Sequence, residues 1–421
     1  MKKSTLIIGV VFMTLLSVRV GAIPIEKLDS LEGINSKNAP EYILYKSAKQ
    51  KYARGDMKEA RTDYLKSLKA NPIFFPSMIG MADIEDRAGH KQKAEDYFKK
   101  AFDVTKNNSS LVHAAYGKFL FKYNDISGAK QEFEKALEIN PAQPDANTEL
   151  AVIYLSRLNK PNKAIEHYQK AIDADPDNIS LQYGLSTAQS AAGNTDGAIA
   201  TLKRVANKLP GNAVPWEYMG INYDRAGRFN EAIDALKKSI KLDPKRVQSR
   251  WILADTYAHA KQFNNALQEY QWVIDNTKQK DVAYFKQGLV YQINKDYANA
   301  QAAYLKASQS NPKLPDPYNN LAYMTLETKK DYKKGIEWAK KAVGLKPDSP
   351  VFLDTLGWLY YQVKDYKNAM QYLQRAVNNK PASAEANYHL GKVYEAMKDK
   401  TNAEKYFKKA QEIDSHFKPT N

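Results

Sequence analysis

A chain of 421 residues with 43% hydrophobic content, 26% charged residues and 28 tyrosines has material for a large folded body and fits neither a collagenous nor a disordered class. It contains no cysteine, which excludes disulfides, thiolate zinc sites, cysteine nucleophiles and lipid-anchored N-terminal cysteines. The formal net charge of +16 admits nucleic acid, anionic lipid or acidic polymers as partners, but the lysines are spread thinly, as on a solvated surface.

The first predicted element is a leader over residues 1–22. Lys2 and Lys3 precede an apolar run from Leu6 to Val18, and Val20-Gly21-Ala22 supplies the small residues of a cleavage site. Charge, apolar core and small-residue exit make a secretory signal, and the run is shorter than the ~20 residues that span a bilayer. Cleavage after Ala22 is expected, with retention as an uncleaved anchor as the alternative. The leader carries three of the positive charges through Lys2, Lys3 and Arg19, leaving +13 on the mature chain. No second apolar run of that length follows, so no stable membrane span is expected after cleavage, and export argues against nucleic acid as the partner. Residues 23–40 read as a linker.

From residue 41 to 415 the chain repeats itself. Pro72, Pro141, Pro176, Pro244, Pro312, Pro347 and Pro381 each close a helix-like stretch, because proline cannot continue a helix and displaces the residue before it from helical geometry. Twelve residues before such a stop lies a small residue, as at Ala60, Ala129, Ala164, Ala232, Ala300, Gly335 and Ala369. Four residues later comes a large one, as at Tyr64, Phe133, Tyr168, Leu236, Tyr304 and Leu373, with Ala339 the exception. The first half of each unit carries a large-then-small pair, such as Leu150-Ala151, Met219-Gly220, Leu356-Gly357 and Leu390-Gly391, and in many copies a tyrosine three residues on. Spacings of three and four place these residues on one helical face, and the small ones let two helices approach closely. Each unit is therefore expected to be two antiparallel helices of about fourteen residues, ~21 Å each. Eleven copies start near residues 41, 75, 110, 144, 179, 213, 247, 281, 315, 350 and 384. The fourth and ninth carry one extra residue in the internal turn, at Asn159–Asn162 and Thr328–Asp331, and the fifth is the weakest copy, with Ser186 and Val205 at positions usually smaller or more regular. Residues 416–421 are a tail.

This pattern resembles the tetratricopeptide repeat, and the sixth copy shows it as Trp216, Met219-Gly220, Tyr223, Ala232, Leu236, Ser239 and Pro244. The resemblance covers about nine-tenths of the chain and implies an all-α fold: an α-solenoid of helix-turn-helix repeats in a right-handed superhelix. It also implies that the first helix of each pair lines a concave groove with its second, fifth, ninth, twelfth and thirteenth residues. Those positions hold Tyr45, Lys49 and Tyr52; Asp83, Asp86 and Arg87; Lys118, Phe121 and Lys122; then Glu217, Asp224, Asp255, His259, Gln292, Asn319, Asp354, Lys392 and Glu395 in later copies. Aromatic residues there are not needed by the repeat itself and suit a binding surface, since large rings give contact area with few rotors to freeze. The expected partner-binding groove residues are Tyr183, Trp251, Phe285, Tyr323, Trp358, Tyr361 and Tyr388. The lysine–asparagine set that clamps a C-terminal carboxylate in some members of the family has no counterpart in three successive copies.

No catalytic cluster, metal-ligand spacing or cofactor motif is found, and the six histidines read as ordinary surface or groove residues. The expected function is a non-enzymatic protein-interaction scaffold without cofactors, exported and most simply periplasmic. It would hold a peptide or helix of a protein partner in the groove during envelope or secretion-machine assembly. A secreted effector or adhesion factor that binds a host protein, and an electrostatic binder of anionic polysaccharide or lipid, are the alternatives. The last repeat has no capping helix, so Tyr406, Phe407, Ala410 and Ile413 must be hidden on its own partner helix or by self-association through this end.

Overall fold

The computed structural model of the protein describes residues 38–379, 383–415 and 417. The leader, residues 23–37 of the linker, Pro381 and most of the tail lie outside the described residues. All regular structure among the described residues is helical, in eleven consecutive pairs. They are α1 (Pro40–Arg54) with α2 (Met57–Ala70), α3 (Phe75–Arg87) with α4 (Lys91–Thr105), α5 (Ser110–Lys122) with α6 (Ile126–Ile139), α7 (Pro144–Ser156) with α8 (Pro161–Ala174), and α9 (Ile179–Ala191) with α10 (Thr195–Lys208). Next come α11 (Val214–Arg225) with α12 (Phe229–Leu242), α13 (Val247–His259) with α14 (Phe263–Asn276), α15 (Lys280–Ile293) with α16 (Tyr297–Ser310), and α17 (Pro315–Thr328) with α18 (Tyr332–Leu345). The last are α19 (Pro350–Gln362) with α20 (Tyr366–Asn378) and α21 (Ala384–Ala396) with α22 (Lys400–Ile413). Every first helix starts within one residue of the position expected from the repeat. Two compact units, Met1–Asn222 and Tyr223–Asn421, divide the chain within α11.

Within each unit the first helices form one layer and the second helices another. Successive first helices touch, as α1 with α3, α5 with α7, α17 with α19 and α19 with α21. The core lies between the layers. In the first unit it is a continuous cluster from Ala114 through Phe133, Leu150 and Tyr168 to Leu185, and in the second a cluster from Ala322 through Leu356 and Leu373 to Leu390. The small-residue rule has a direct geometric cause: a Cβ at Gly117 would meet the ring of Phe133 at 2.7 Å, and one at Gly391 the ring of Phe407 at 2.6 Å. In the weakest copy Ser186 and Val205 are both buried.

The turns inside the pairs are equally local. Gly55, Gly89, Gly193 and Gly227 adopt positive φ just after the first helix, and in later copies Lys261, Lys295, Lys364 and Lys398 take that conformation instead. The extra residues of the fourth and ninth copies are accommodated the same way, at Asn159, Lys329 and Asp331. Aspartates then cap the second helices. Asp296, Asp365 and Asp399 each accept from the backbone N–H three residues on and, through the other oxygen, from that asparagine's Nδ2 at 2.6–2.7 Å, which satisfies donors that a helix start leaves open. At the ends of second helices, Asn71, Asn140 and Asn311 turn the chain by accepting, through Oδ1, from the backbone N–H two residues on.

The last pair hides most of its apolar face on itself. Tyr406 and Ala410 are buried, Phe407 meets Tyr388 at 5.5 Å, and Ile413 remains 43% exposed. No helix of the described residues is long and apolar enough to cross a membrane.

Candidate functional site

The faces of the first helices carry the side chains that the repeat does not need for its core. In the first unit they enclose a cleft of about 690 Å³ between α1, α3, α5 and the start of α7. Tyr45, Ile79, Leu111 and Phe119 make its apolar wall, and Lys49, Tyr52, Asp83, Asp86, Lys118, Lys122 and Asp145 its polar one. The polar groups are tied across repeats. Tyr52 donates to Asp83 beneath the Arg87 guanidinium, which lies 4.6 Å from the Tyr52 ring centre. Lys122 Nζ and Tyr123 Oη both donate to Asp86, at 2.6 and 2.8 Å. Lys118 Nζ lies 2.9 Å from Asp145 Oδ2. Burial opposes the Lys118 charge, but Asp145 and Glu149 hold its ammonium above the ordinary lysine value. Burial also raises the Glu149 carboxyl, which Lys118 only partly offsets.

The sequence-predicted aromatic residues divide between the units. Tyr183 lies in the first, half-buried, with its ring 5.3 Å from that of Tyr218 on α11. The other six lie in the second. Trp251 is half-buried against Tyr270 of its own second helix, 5.8 Å between ring centres, and its Nε1 donates to Gln279 Oε1 at 2.8 Å. Phe285 meets Tyr304 of its own second helix at 5.8 Å. Trp358 stacks on Tyr361 at 4.5 Å and on His389 of the next repeat at 4.0 Å. Tyr388 contacts Phe407 and Phe417. Tyr323 is the most open of the set, 37% exposed. Trp358 and Tyr361 thus meet each other and, through His389, the neighbourhood of Tyr388 on α21. Tyr323 stands on α17, and Trp251 and Phe285 pack largely on their own repeats.

Several polar positions expected to face the groove are engaged in packing. Tyr45, Asp86, Glu217 and Asn319 are buried. Others bridge adjacent repeats: Asp224 pairs with His259 at 3.0 Å, Lys286 with Asp255 at 3.1 Å, and His389 with Asp354 at 2.9 Å. Two histidines taken for surface or groove residues are core groups, since His113 and His389 are each 5% exposed and bound to Glu132 and Asp354. Glu149, Glu327 and Glu385, not singled out in the sequence, also stand on these faces. For Glu327 and Glu385 the signal is their place one turn from Tyr323 and Tyr388, whereas Glu149 has no groove aromatic or lysine on its own helix and meets the charge of Lys118 only through the fold. No group of carboxylates and histidines suited to a metal ion occurs among the described residues.

Comparison with known proteins agrees with this architecture. Models of the tetratricopeptide repeat match residues 120–179, 157–217, 219–279 and 282–314. The model of anaphase-promoting complex, cyclosome, subunit 3 matches residues 328–410. The BBSome complex member BBS4 homolog of Drosophila melanogaster is 26% identical over 229 residues, covering 53% of this chain and 46% of that protein. The BBSome complex member BBS4 of Bos taurus is 24% identical over 265 residues, covering 62% of this chain and 50% of that protein. The chain thus spans about half the length of the curated relatives it matches. Among solved structures, yeast Tom70 aligns over 90% of this chain and 93% of that one with 14% identity and a TM-score of 0.46. Repeat pattern, helix pairing and family matches converge: the chain is an all-α array of tetratricopeptide-type helix pairs.

Proposed function

We propose that the chain is a non-enzymatic scaffold for protein–protein interaction, which holds a peptide or helix of its partner against the first-helix faces. The observation that carries this reading is the cleft of about 690 Å³ walled by α1, α3 and α5, where an apolar wall sits beside ordered charge pairs. Such a surface offers area for side-chain burial and fixed polar groups for orientation. The leader pattern of residues 1–22 supports an exported scaffold that acts in assembly at the cell envelope, with the periplasm as its compartment.

The test is a site-specific photo-crosslinking residue in the full chain, expressed in its native cell. Placed at Ile79 in the cleft it gives a discrete partner adduct, and at exposed Lys99 on α4 it gives none. Equal adducts at both positions, or none at Ile79, would remove the cleft as the binding surface. Export is read separately, by the mass of the mature N-terminus and by protection from protease added outside intact cells.

A further inference from the structure

The last three first helices are net acidic in succession. Together α17, α19 and α21 hold five carboxylates against one lysine, a net charge of −4 in a chain of +16. Their partners α18, α20 and α22 hold ten lysines and arginines against three glutamates, a net +7. Sequence position within the repeat separates the signs onto two layers.

Two carboxylates on earlier first helices find a lysine on the following one, Asp86 with Lys122 and Asp255 with Lys286, while Asp224 finds His259. Among the described residues Glu327, Asp354 and Glu385 have no such lysine, whereas Glu395 of α21 pairs with Lys392 on its own helix. Asp354 has only His389, Glu327 accepts a hydrogen bond from Gln292 Nε2 at 2.7 Å, and neither Glu327 nor Glu385 has an ion-pair partner among the described residues. The groups lie close enough to feel one another. Burial, then Glu385, Glu327 and Asp354, push the Tyr323 hydroxyl up to about 12. Desolvation by the surrounding wall raises the carboxyls of Glu327 and Glu385, and Asp354 adds to the rise at Glu385.

A separate observation points the same way. Asn319, Tyr323 and Glu327 stand four residues apart on one face of α17. Asn319 is 7% exposed, and its Oδ1 has no hydrogen-bond donor among the described residues. A buried carbonyl oxygen without a donor is costly. This face is therefore short of donors and of positive charge at once. Lysine and arginine side chains supply both and accept nothing, and an exposed tyrosine ring beside carboxylates adds a cation–π surface.

We propose that the face of α17, α19 and α21 seats a cationic peptide segment of the partner, with a lysine or arginine held between Tyr323 and the carboxylates of Glu327, Asp354 and Glu385. Entry of that side chain is accompanied by rotation of the Asn319 amide, whose oxygen is covered in the free protein. The inference rests on the scaffold reading and names the chemistry of one bound segment.

The test uses the full mature chain and three fluorescein-labelled dodecapeptides of leucine alternating with lysine and arginine, with glutamate, or with glutamine, followed by fluorescence anisotropy. The basic peptide binds at least tenfold more tightly than the other two. In E327Q/E385Q, where neither carboxylate holds a structural ion pair, its affinity falls at least tenfold while helical content is unchanged. N319L weakens it by a smaller factor. Equal affinity for the acidic peptide, or unchanged affinity in E327Q/E385Q, overturns the proposal. So does a concentration-dependent dimer that E327Q/E385Q abolishes without peptide binding, since the occupant would then be the basic face of a second copy. A negative result here with the Ile79 adduct intact removes this face alone and leaves the scaffold reading standing.

Discussion

The indole of Trp358 lies flat on the imidazole of His389, ring centres 4.0 Å apart and planes 11° from parallel, and the imidazole Nδ1 is 2.9 Å from Asp354 Oδ1. One aromatic residue and one carboxylate of the tenth repeat thus grip a buried histidine of the eleventh. Trp358 has a mechanical role in joining repeats whatever it contributes to binding. In a linear array, stability depends on such neighbour interfaces.

Trp358→Ala is expected to lower stability by about 2 kcal/mol, less than a fully buried tryptophan because the ring is half-open. The loss should be local. Amide exchange in α21 and α22 will accelerate while α13 and α14 keep their protection, and Trp358→Phe will restore most of it. Urea unfolding read with site-resolved exchange checks both parts, and uniform acceleration across the second unit would contradict the neighbour-only picture.

Gly117→Ala tests the close approach of α5 and α6. The new methyl would meet the fully buried Phe133 ring at 2.7 Å, so one helix must shift. A destabilisation of about 1–3 kcal/mol is expected, although alanine is the better helix former. Denaturant titration of the two proteins measures it, and a neutral or stabilising effect would show that the helices part without cost.

Asp365→Ala removes the cap of α20. Its two oxygens hold the Asn368 backbone N–H at 3.2 Å and the Asn368 side chain at 2.6 Å, and the loss is expected to be about 1 kcal/mol. Asp365→Ser, which keeps an acceptor at the cap, should recover roughly half of it. Thermal melts of the three proteins, ranked in that order, provide the check.

The His259–Asp224 bridge predicts a pH dependence. Its hydrogen bond to Asp224 raises the His259 imidazole above the ordinary value of 6.5, against the opposing effect of burial. A histidine whose folded pKa is raised stabilises the fold fully below its unfolded value, and that contribution disappears as pH rises through the higher folded value. Histidine ring resonances followed by NMR should therefore show His259 titrating above 6.5. In Asp224→Asn the midpoint moves down and the stability difference between mildly acidic and alkaline pH shrinks. An unchanged midpoint in the variant would refute the pairing.

Much of the architecture was legible before any coordinates. Ala60, Gly117, Ala232 and Gly391 announce helix contacts because a helix pair leaves no room for a larger side chain there, and Pro72 or Pro244 announces a stop because proline has no N–H to give. The aspartate–asparagine caps and the positive-φ turn residues are also local, confined to four or five neighbouring positions. The groove was legible only as a set of candidates. Tyr323 and Trp358 occupy equivalent positions in their repeats, yet the first is open and the second is stacked between Tyr361 and His389.

Spacing within a helix turns on a period of 3.6 residues that every copy shares, so fold class, helix number and helix boundaries follow from the chain itself. Which polar residues meet across repeats does not. Asp86 with Lys122, Asp224 with His259 and Asp354 with His389 are separated by 35 or 36 residues, and each pairing depends on the offset between neighbouring helices and on the rotamers that burial permits. Glu327 and Glu385 also stand on first helices, and only the packing of neighbouring repeats leaves them without an ion-pair partner among the described residues.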